Sequence, residues 1–322
     1  MSTIATTSQP ATSSSLKRLI SRHPLIAYFV IAFAGSWAFL LPIALSRNVN
    51  GLGILPFRSD IAFIIAFVLA TPAGPALASL AVTAITSGRA GVGLLLRRCV
   101  QWRVGVGWYL IAIFGFIPIY LVDISVFYGV NLYLALLAQW TLLFTAFLPQ
   151  AVFSILTGSF AEELGWRGFA LPRLQQRYGP VLGSLILGSL HALWHLPTFF
   201  TFIHGPFILS SYIGFFIVAI AGTFLYTWVF NHTKGSVLLA TLTHGFSGAA
   251  GFVFLLVPAQ LVVTGWARPF VYGGWNADGI VIFGALAVLL LVFTRGRLGY
   301  NPERNARLFE VPQPAETPAA NV

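Results

Sequence analysis

The sequence predicts an all-α protein, a polytopic membrane helix bundle of about eight transmembrane helices with both termini in the cytoplasm. Two observations predict the class, and the placement of basic residues predicts the orientation. Hydrophobic residues make up 57% of the chain and charged residues only 8%, whereas soluble domains carry roughly a quarter charged residues. Eight apolar stretches, most of them near the roughly 20 residues that a helix needs to cross a bilayer, are 25–45, 61–86, 107–129, 134–160, 180–202, 208–230, 236–257 and 278–294.

The basic residues are distributed unevenly between the two predicted sides of the membrane. With eight spans, alternate loops and both termini lie on one side, and fifteen of the 18 Lys and Arg residues fall there. Only Arg47, Arg58 and Arg268 fall on the other side. Loops rich in Lys and Arg stay in the cytoplasm. We therefore interpret the net charge of +10 as a topological signal, and we expect the lipid bilayer, not nucleic acid, as a partner.

One transmembrane domain, residues 23–296, is predicted between two polar tails. Residues 1–22 and 297–322 are expected to be disordered cytoplasmic tails, because the first begins Ser/Thr-rich and the second ends Pro/Ala-rich. The first apolar stretch lacks a small-residue cleavage site, so it is expected to be a retained span. Pro72 and Pro75 lie inside the second span and predict a kink there. The lone Cys99 leaves no disulfide framework and no multi-cysteine zinc site.

Two adjacent glutamates, Glu162 and Glu163, end the fourth apolar stretch in "FAEELGWRG". A charge at the centre of a membrane helix costs roughly 2.5–3.5 kcal/mol on insertion scales, so it needs a partner, a proton or a water-filled cavity. Glu163 and Arg167 are four residues apart on one helix face, which predicts an ion pair. Glu162 points about 100° away, and we interpret it as the carboxylate available for chemistry. The alternative is that both glutamates simply end the span at the lipid headgroups.

Three histidines follow in apolar stretches. His191 and His195 in "HALWHLP" are four residues apart and share one face of the fifth span; two core histidines bonded to hydroxyl or carbonyl groups are the alternative. His244 lies in the seventh span, in "TLTHGFSG". A rise of 1.5 Å per residue puts Glu162 and His195 roughly 20 Å, and His244 roughly 13 Å, from helix ends on the cytoplasmic side. Glu162, His195 and His244 are therefore predicted to meet in one cytoplasm-facing cavity.

Two hydrolytic schemes fit a carboxylate and imidazoles in such a cavity. In the preferred scheme, which requires no cofactor, poorly solvated Glu162 works with His195 to deprotonate a water that attacks an amide carbonyl. His244 and a polar neighbour then donate hydrogen bonds to the oxyanion. In the alternative scheme a zinc ion activates the water. The candidate ligands of that ion are Glu162 or Glu163, His191, His195 and His244.

The segments "EELGWRG", "HALWHLP" and "LLATLTHGFSG" resemble the three ordered motifs of the CPBP family of intramembrane proteases. This family includes the type II CAAX prenyl endopeptidases and the bacteriocin-processing or immunity (Abi) proteins. The motif core covers about residues 145–250. The resemblance implies Glu162 as the water-activating carboxylate and His195 as its partner. It also implies His244 as the group that stabilises the oxyanion, with Glu163 and Arg167 as a structural pair.

Two positions depart from the family pattern. His191 stands where the family usually has phenylalanine, which adds a possible ligand and keeps the zinc scheme open. Gly248 stands where the family usually has asparagine, which removes an implied oxyanion donor. Ser247 or Thr243 is the candidate replacement for that donor.

The resemblance implies a multi-pass intramembrane endopeptidase of the cell membrane. Its expected substrate is a membrane-anchored peptide or protein, such as a prenylated CAAX tail or a bacteriocin-like leader. One rival is a proton-coupled transporter, which also places Glu and His inside a bundle, although the Pro-interrupted second span lacks the counterpart that such folds tend to show. The other rival is a non-catalytic immunity or scaffold protein with a degenerate site, which Gly248 favours.

Overall fold

A computed structural model describes residues 15–129, 134, 137–201, 203, 206–256 and 277–311, and over these residues the regular structure is helical, without strands, as predicted. Five helical runs are long and apolar enough to cross a membrane. They are Pro24–Leu45, Asp60–Cys99, Val106–Phe127, Leu143–Phe200 and Leu209–His232. Asp278–Phe293 is a shorter apolar helix. The chain is therefore a polytopic helical bundle, whereas the number of eight spans and the side of the termini stay predictions.

Two glycines with left-handed backbone divide the longest runs. Gly88 has φ 62° and Gly179 has φ 75°, a conformation that glycine adopts without the steric penalty of a Cβ atom. In chain order the helices are α1 (Ser15–Arg22), α2 (Pro24–Leu45), α3 (60–87), α4 (89–99), α5 (Val106–Phe127), α6 (143–178), α7 (180–200), α8 (Leu209–His232), α9 (Val237–Leu256), α10 (Ala277–Phe293) and α11 (Pro302–Ala306).

Helix α6 continues well past the two glutamates. The apolar stretch ends at residue 160, and the helix continues beyond it, as the depth comparison assumed, through wider π-helical turns at Ile155–Ser159 and Trp166–Ala170. The chain reverses only at Gly179, where the backbone leaves the helical region. Glu162 and Glu163 are both buried within the bundle. Burial inside the bundle, away from both ends of α6, favours the cavity interpretation over the alternative in which they end a span at the headgroups.

Helix α3 is widened, not broken, by its two prolines. Pro72–Ala76 forms a π-helical turn, the kind of local irregularity that accommodates a shifted hydrogen-bond register. Gly74 in this turn lies directly against the Ala32 backbone and the Ser36 side chain of α2. Ser36 Oγ of that helix also donates to the Ala70 carbonyl oxygen over 2.6 Å, just before the turn. A protein neighbour thus satisfies backbone beside the prolines, as expected for an irregular membrane helix.

Helices α6, α7 and α9 pack together and enclose a common interior region of the bundle. Helix α9 lies against α6, and a Cβ atom on Gly245 would come within 2.5 Å of Ile155. Helix α7 folds back along α8, where Ser184 Oγ donates to Thr227 Oγ1 over 2.8 Å. This packing brings the acidic segment and the two histidine segments to the same depth.

Parts of both predicted tails are ordered. Ser15–Arg22 forms α1, which contacts the helical run Leu77–Cys99. After α10, Leu298 is fully buried, and Asn305 in α11 donates to the Pro172 carbonyl oxygen over 2.8 Å. The prediction of disorder is therefore wrong for 15–22 and 297–311, because contacts with distant residues hold these segments. The rest of each tail, 1–14 and 312–322, lies outside the described residues.

Candidate active site

Glu163 is the centre of a buried charged network. Arg167 Nη1 donates to Glu163 Oε1 over 2.7 Å, across one turn of α6, and both side chains are 0% exposed. His244 Nδ1, from α9, donates to the same oxygen over 2.9 Å. The Tyr226 ring of α8 lies 4.7 Å from Arg167 Cζ, a cation–π contact. The predicted pair is therefore present, and it also holds His244, which sequence reasoning did not predict.

Glu162 is one residue away but meets different partners. His191 Nε2 lies 2.9 Å from Glu162 Oε2 and donates to it when that nitrogen carries the proton. The other carboxylate oxygen, Oε1, has no hydrogen-bond partner among the described residues. Glu162 is 6% exposed, against 0% for Glu163. One oxygen of this carboxylate is thus fixed, and the other is available to a bound molecule.

His195 lies one turn beyond His191 in α7. The two imidazole centroids are 5.0 Å apart, and one ligand atom of each lies within 4.8 Å of the other and of a Glu162 oxygen. The resemblance implies His195 as the partner of Glu162, but the direct hydrogen bond in this structure comes from His191. The i, i+4 spacing places both rings on the helix face toward α6. The sequence alone therefore could not predict which of the two histidines bonds to Glu162.

A cavity of about 270 Å³ opens onto this cluster. His191, His195 and His244 line it. Glu162 is not among the lining residues and lies behind His191, at 2.9 Å from its Nε2. Its polar lining includes Tyr226, Ser247 and Thr223. Gly248 also lines it and contributes no side chain. The apolar wall consists of Phe116, Phe215, Val218, Ala219 and Phe283. Water and a short peptide segment both fit such a space.

Tyr226 is the site residue that sequence reasoning missed. Ser247 Oγ donates to the His244 backbone oxygen over 2.8 Å, so the Tyr226 hydroxyl donates to Ser247 Oγ, 2.5 Å away. Thr243, the other suggested replacement donor, is 1% exposed and donates to the Leu239 carbonyl oxygen. The available signal was a tyrosine inside an apolar span, since a buried phenol needs a hydrogen-bond partner.

Glu162, His191 and His195 have the donor composition of a catalytic zinc site, one carboxylate and two imidazoles. Ligand atoms of a tetrahedral zinc ion lie about 3.4 Å apart, given bonds of roughly 2.0–2.1 Å. The Glu162–His191 hydrogen bond, at 2.9 Å, is shorter, so this pair must separate slightly to admit an ion. His244, the remaining predicted histidine ligand, lies outside the group and is bonded to Glu163.

Comparison with known proteins identifies the segment that carries these residues. Residues 144–250 match the family model described as type II CAAX prenyl endopeptidase Rce1-like. The CAAX prenyl protease 2 of Methanococcus maripaludis is 33% identical over 105 residues, which are 31% of this chain and 38% of that protein. The chain thus matches well under half of the length of this relative. The matched segment nearly coincides with the predicted motif core and contains both glutamates and all three histidines of the cluster. Residues 144–250 therefore match the Rce1-like family of type II CAAX prenyl endopeptidases, which supports the family resemblance that the three motifs predicted.

Proposed function

We propose that this protein is an intramembrane endopeptidase that hydrolyses a peptide bond in a membrane-anchored peptide or protein. The observation that carries the proposal is that His191, His195 and His244 line one cavity within an apolar bundle. Glu162 lies directly behind His191, whose Nε2 is 2.9 Å from Glu162 Oε2. The family match of residues 144–250 supports a protease over the transporter and scaffold alternatives. The name of the matched relative supports a CAAX-type tail as the first substrate to try.

Water activation is assigned to Glu162. His191 holds Oε2, and Oε1 is left to accept a proton from a water molecule in the cavity. The hydroxide attacks the carbonyl carbon of the scissile amide, and Glu162 returns the proton to the departing nitrogen as the C–N bond breaks. His195, within 4.8 Å of the Glu162 and His191 ligand atoms, is assigned to orient this water and then the leaving amine.

Oxyanion stabilisation is assigned to His244 and Tyr226. Because Nδ1 of His244 is bonded to Glu163, Nε2 is the ring nitrogen left for the cavity. Two carboxylates, Glu162 and Glu163, face one guanidinium, Arg167, so a protonated His244 would balance the buried charge and donate through Nε2. The Tyr226 hydroxyl lies beside Ser247 at the same cavity and supplies the second donor by turning from Ser247 to the oxyanion.

A zinc-assisted form of the same reaction is the second candidate, and the donor set favours it. Glu162, His191 and His195 would hold the ion. When bound, zinc supplies Lewis acidity that favours hydroxide at neutral pH. In this form Glu163, Arg167 and His244 keep the contacts described above, and Tyr226 keeps its role as a donor.

The test is cleavage of a membrane-anchored peptide by purified protein in liposomes. We expect cleavage of a peptide that ends in a prenylated CAAX tail, and at least roughly tenfold slower cleavage of the same peptide without its anchor, since anchoring raises the local concentration. A second peptide, anchored by an N-terminal acyl chain and carrying a bacteriocin-like leader, tests the other substrate class.

A chelator arm of the same assay separates the two mechanisms. Unchanged cleavage after chelation supports water activation by Glu162 alone, and a loss that added zinc restores supports the zinc-assisted form. Failure of folded wild-type protein to cleave any anchored peptide would contradict the proposal. Proton-coupled uptake into the same liposomes would then support the transporter instead.

A further inference from the structure

A second group of cavities lies apart from the histidine cluster, and four arginines line it. Cavities of about 570 and 240 Å³ share Pro24, Arg173 and Phe309. A small recess beside them, also lined by Arg173 and Phe309, contains Arg98. Arg22 and Arg177 line the 240 Å³ cavity. We call this region the arginine cavity, defined by Arg22, Arg98, Arg173 and Arg177.

Arg98 is a buried cation with unused donors. It is 5% exposed, and its Nη2 donates to the carbonyl oxygen of Gly168. Its Nε and Nη1 are buried and have no hydrogen-bond partner within the described part of the chain. Burying a guanidinium without partners for its N–H groups is costly, and its fork of donors matches the oxygens of a phosphate group. The recess itself holds only about 10 Å³, about the space of one water molecule, so Arg98 supplies positive charge behind the larger cavities and not a direct contact.

Arg173 is held in position for an anion. Its Cζ lies 3.8 Å from the Phe169 ring centre and 4.6 Å from that of Phe309, so two aromatic rings flank the guanidinium. Within the described ranges, its hydrogen bond is the one from Nη1 to the Phe169 carbonyl oxygen, over 2.9 Å. One carboxylate, Glu310, also lines the 570 Å³ cavity, where it accepts from Gln176. Counted over the described residues, four arginines face one acid, so this lining is positively charged.

The apolar wall of the arginine cavity indicates where such an anion comes from. Pro24, Leu25 and Ile26, the first turn of α2, line the cavity beside Arg22. Ile26 is 63% exposed, and Val30, one turn further along the same face, is 62% exposed. An apolar stripe on a membrane-crossing helix that begins at a cluster of arginines fits acyl chains below a headgroup.

We propose that the arginine cavity binds the phosphate group of an anionic phospholipid. The phosphate oxygens accept from Arg173, Arg22 and Arg177, which line the same cavity, Arg98 adds positive charge behind it, and the acyl chains run along Ile26 and Val30. A free phosphate ion would satisfy the same donors but would leave the apolar stripe uncovered. This inference does not depend on the proposed catalytic activity, since none of the four arginines lines the histidine cavity.

The test is lipid binding to the full-length protein in a neutral detergent, followed by native mass spectrometry during titration with phosphatidylglycerol. The main variant is Arg22→Gln with Arg177→Gln, because both side chains are exposed and surface substitutions usually change stability little. We expect about fivefold weaker binding for each arginine removed. Arg173→Gln is the second variant, and thermal unfolding without lipid shows whether it folds.

The matched control is Arg89→Gln with Arg97→Gln, which removes two exposed arginines that do not line these cavities. It should bind phosphatidylglycerol as the wild type does, because a neutral micelle has no surface potential. Equal losses in the control and main variants would overturn the proposal, and so would equal binding of phosphatidylcholine and phosphatidylglycerol. Protection of the protein against heat by inorganic phosphate as strong as that by phosphatidylglycerol would overturn the assignment to a lipid.

Discussion

Glu162 and Glu163 have different partners because one step along a helix turns a side chain by about 100°. Glu163 accepts hydrogen bonds from Arg167 and His244 and is fully enclosed. Glu162 meets His191 and keeps a second oxygen without a described partner. A buried acid that compensates a guanidinium has a structural role, whereas an acid beside a wet cavity can exchange protons.

Replacing Glu163 with glutamine is expected to lower the stability of the folded protein. Arg167 would stay buried without a carboxylate, and breaking a buried ion pair costs roughly 3–5 kcal/mol. Glu162→Gln keeps a hydrogen bond to His191 and is expected to shift the melting temperature much less. Thermal unfolding of both variants in one detergent, followed by tryptophan fluorescence, measures the difference. Equal shifts would contradict the separate roles of the two acids.

Replacing Tyr226 with phenylalanine is expected to reduce kcat by roughly a hundredfold with little change in KM, as when an oxyanion donor is removed. The steady-state rate of cleavage in liposomes measures this effect. The control is Tyr212→Phe, which removes a hydroxyl that does not line the cavity. Unchanged activity in Tyr226→Phe would show that the Tyr226 hydroxyl is not the oxyanion donor. Ser247 would then be the next candidate.

Local and long-range contacts differ in how far the sequence predicts them. The Glu163–Arg167 pair follows from i, i+4 spacing within one helix. The His191–Glu162 and His244–Glu163 bonds join residues 29 and 81 positions apart. Which glutamate each histidine meets depends on the rotation and depth of whole helices. Spacing within a motif does not contain that information.

At the scale of helices, close approach at glycines sets the position of α6. A Cβ atom on Gly165 would lie 2.5 Å from the Tyr28 hydroxyl oxygen and 2.6 Å from the Pro75 carbonyl oxygen. Helices α2 and α3 therefore contact the backbone of α6 directly, one turn from the glutamates. Small residues allow this kind of packing between membrane helices.

Gly165→Ala is expected to destabilise the protein by about 1–3 kcal/mol, the usual cost of overpacking. Gly248→Ala is the matched control, because its nearest neighbour would be Ser154 Oγ at 3.9 Å. In the control, loss of a helical glycine is expected to be neutral or to stabilise by roughly 0.5–1 kcal/mol. Chemical unfolding in detergent measures both variants. A Gly165→Ala protein as stable as the wild type would contradict the close packing.

At the scale of the whole molecule, hydrophobic stretches predict helices well and their ends less well. The first stretch, 25–45, corresponds to Pro24–Leu45. The fourth stretch ends at residue 160, but α6 continues to Gly179 because buried partners compensate Glu163 and Arg167. A prediction from hydropathy alone ends the span where the charged residues Glu163 and Arg167 begin. For the same reason it treats Arg98 and Arg173 as topological signals, although contacts from distant segments bury Arg98 in the fold.

The predicted orientation, with the basic side in the cytoplasm, is testable by cysteine labelling in a Cys99→Ser background. The two labelled variants are Ile54→Cys, in a loop predicted to be outside the cell, and Gln176→Cys, on the side predicted to be cytoplasmic. Both positions are exposed. In right-side-out vesicles a membrane-impermeant maleimide is expected to label the first and spare the second until the vesicles are opened. The reverse pattern would contradict a cytoplasmic cavity.

Glu162 is assigned the activation of the water that cleaves a membrane-anchored peptide. The most direct test of this role is the initial cleavage rate of Glu162→Gln in liposomes, measured on protein whose melting temperature matches that of the wild type. We expect no cleavage above the rate in empty liposomes, because an amide at this position cannot accept the proton from water. Cleavage by Glu162→Gln at a rate near that of the wild type would contradict the assignment of Glu162 and with it the mechanism proposed for this cavity.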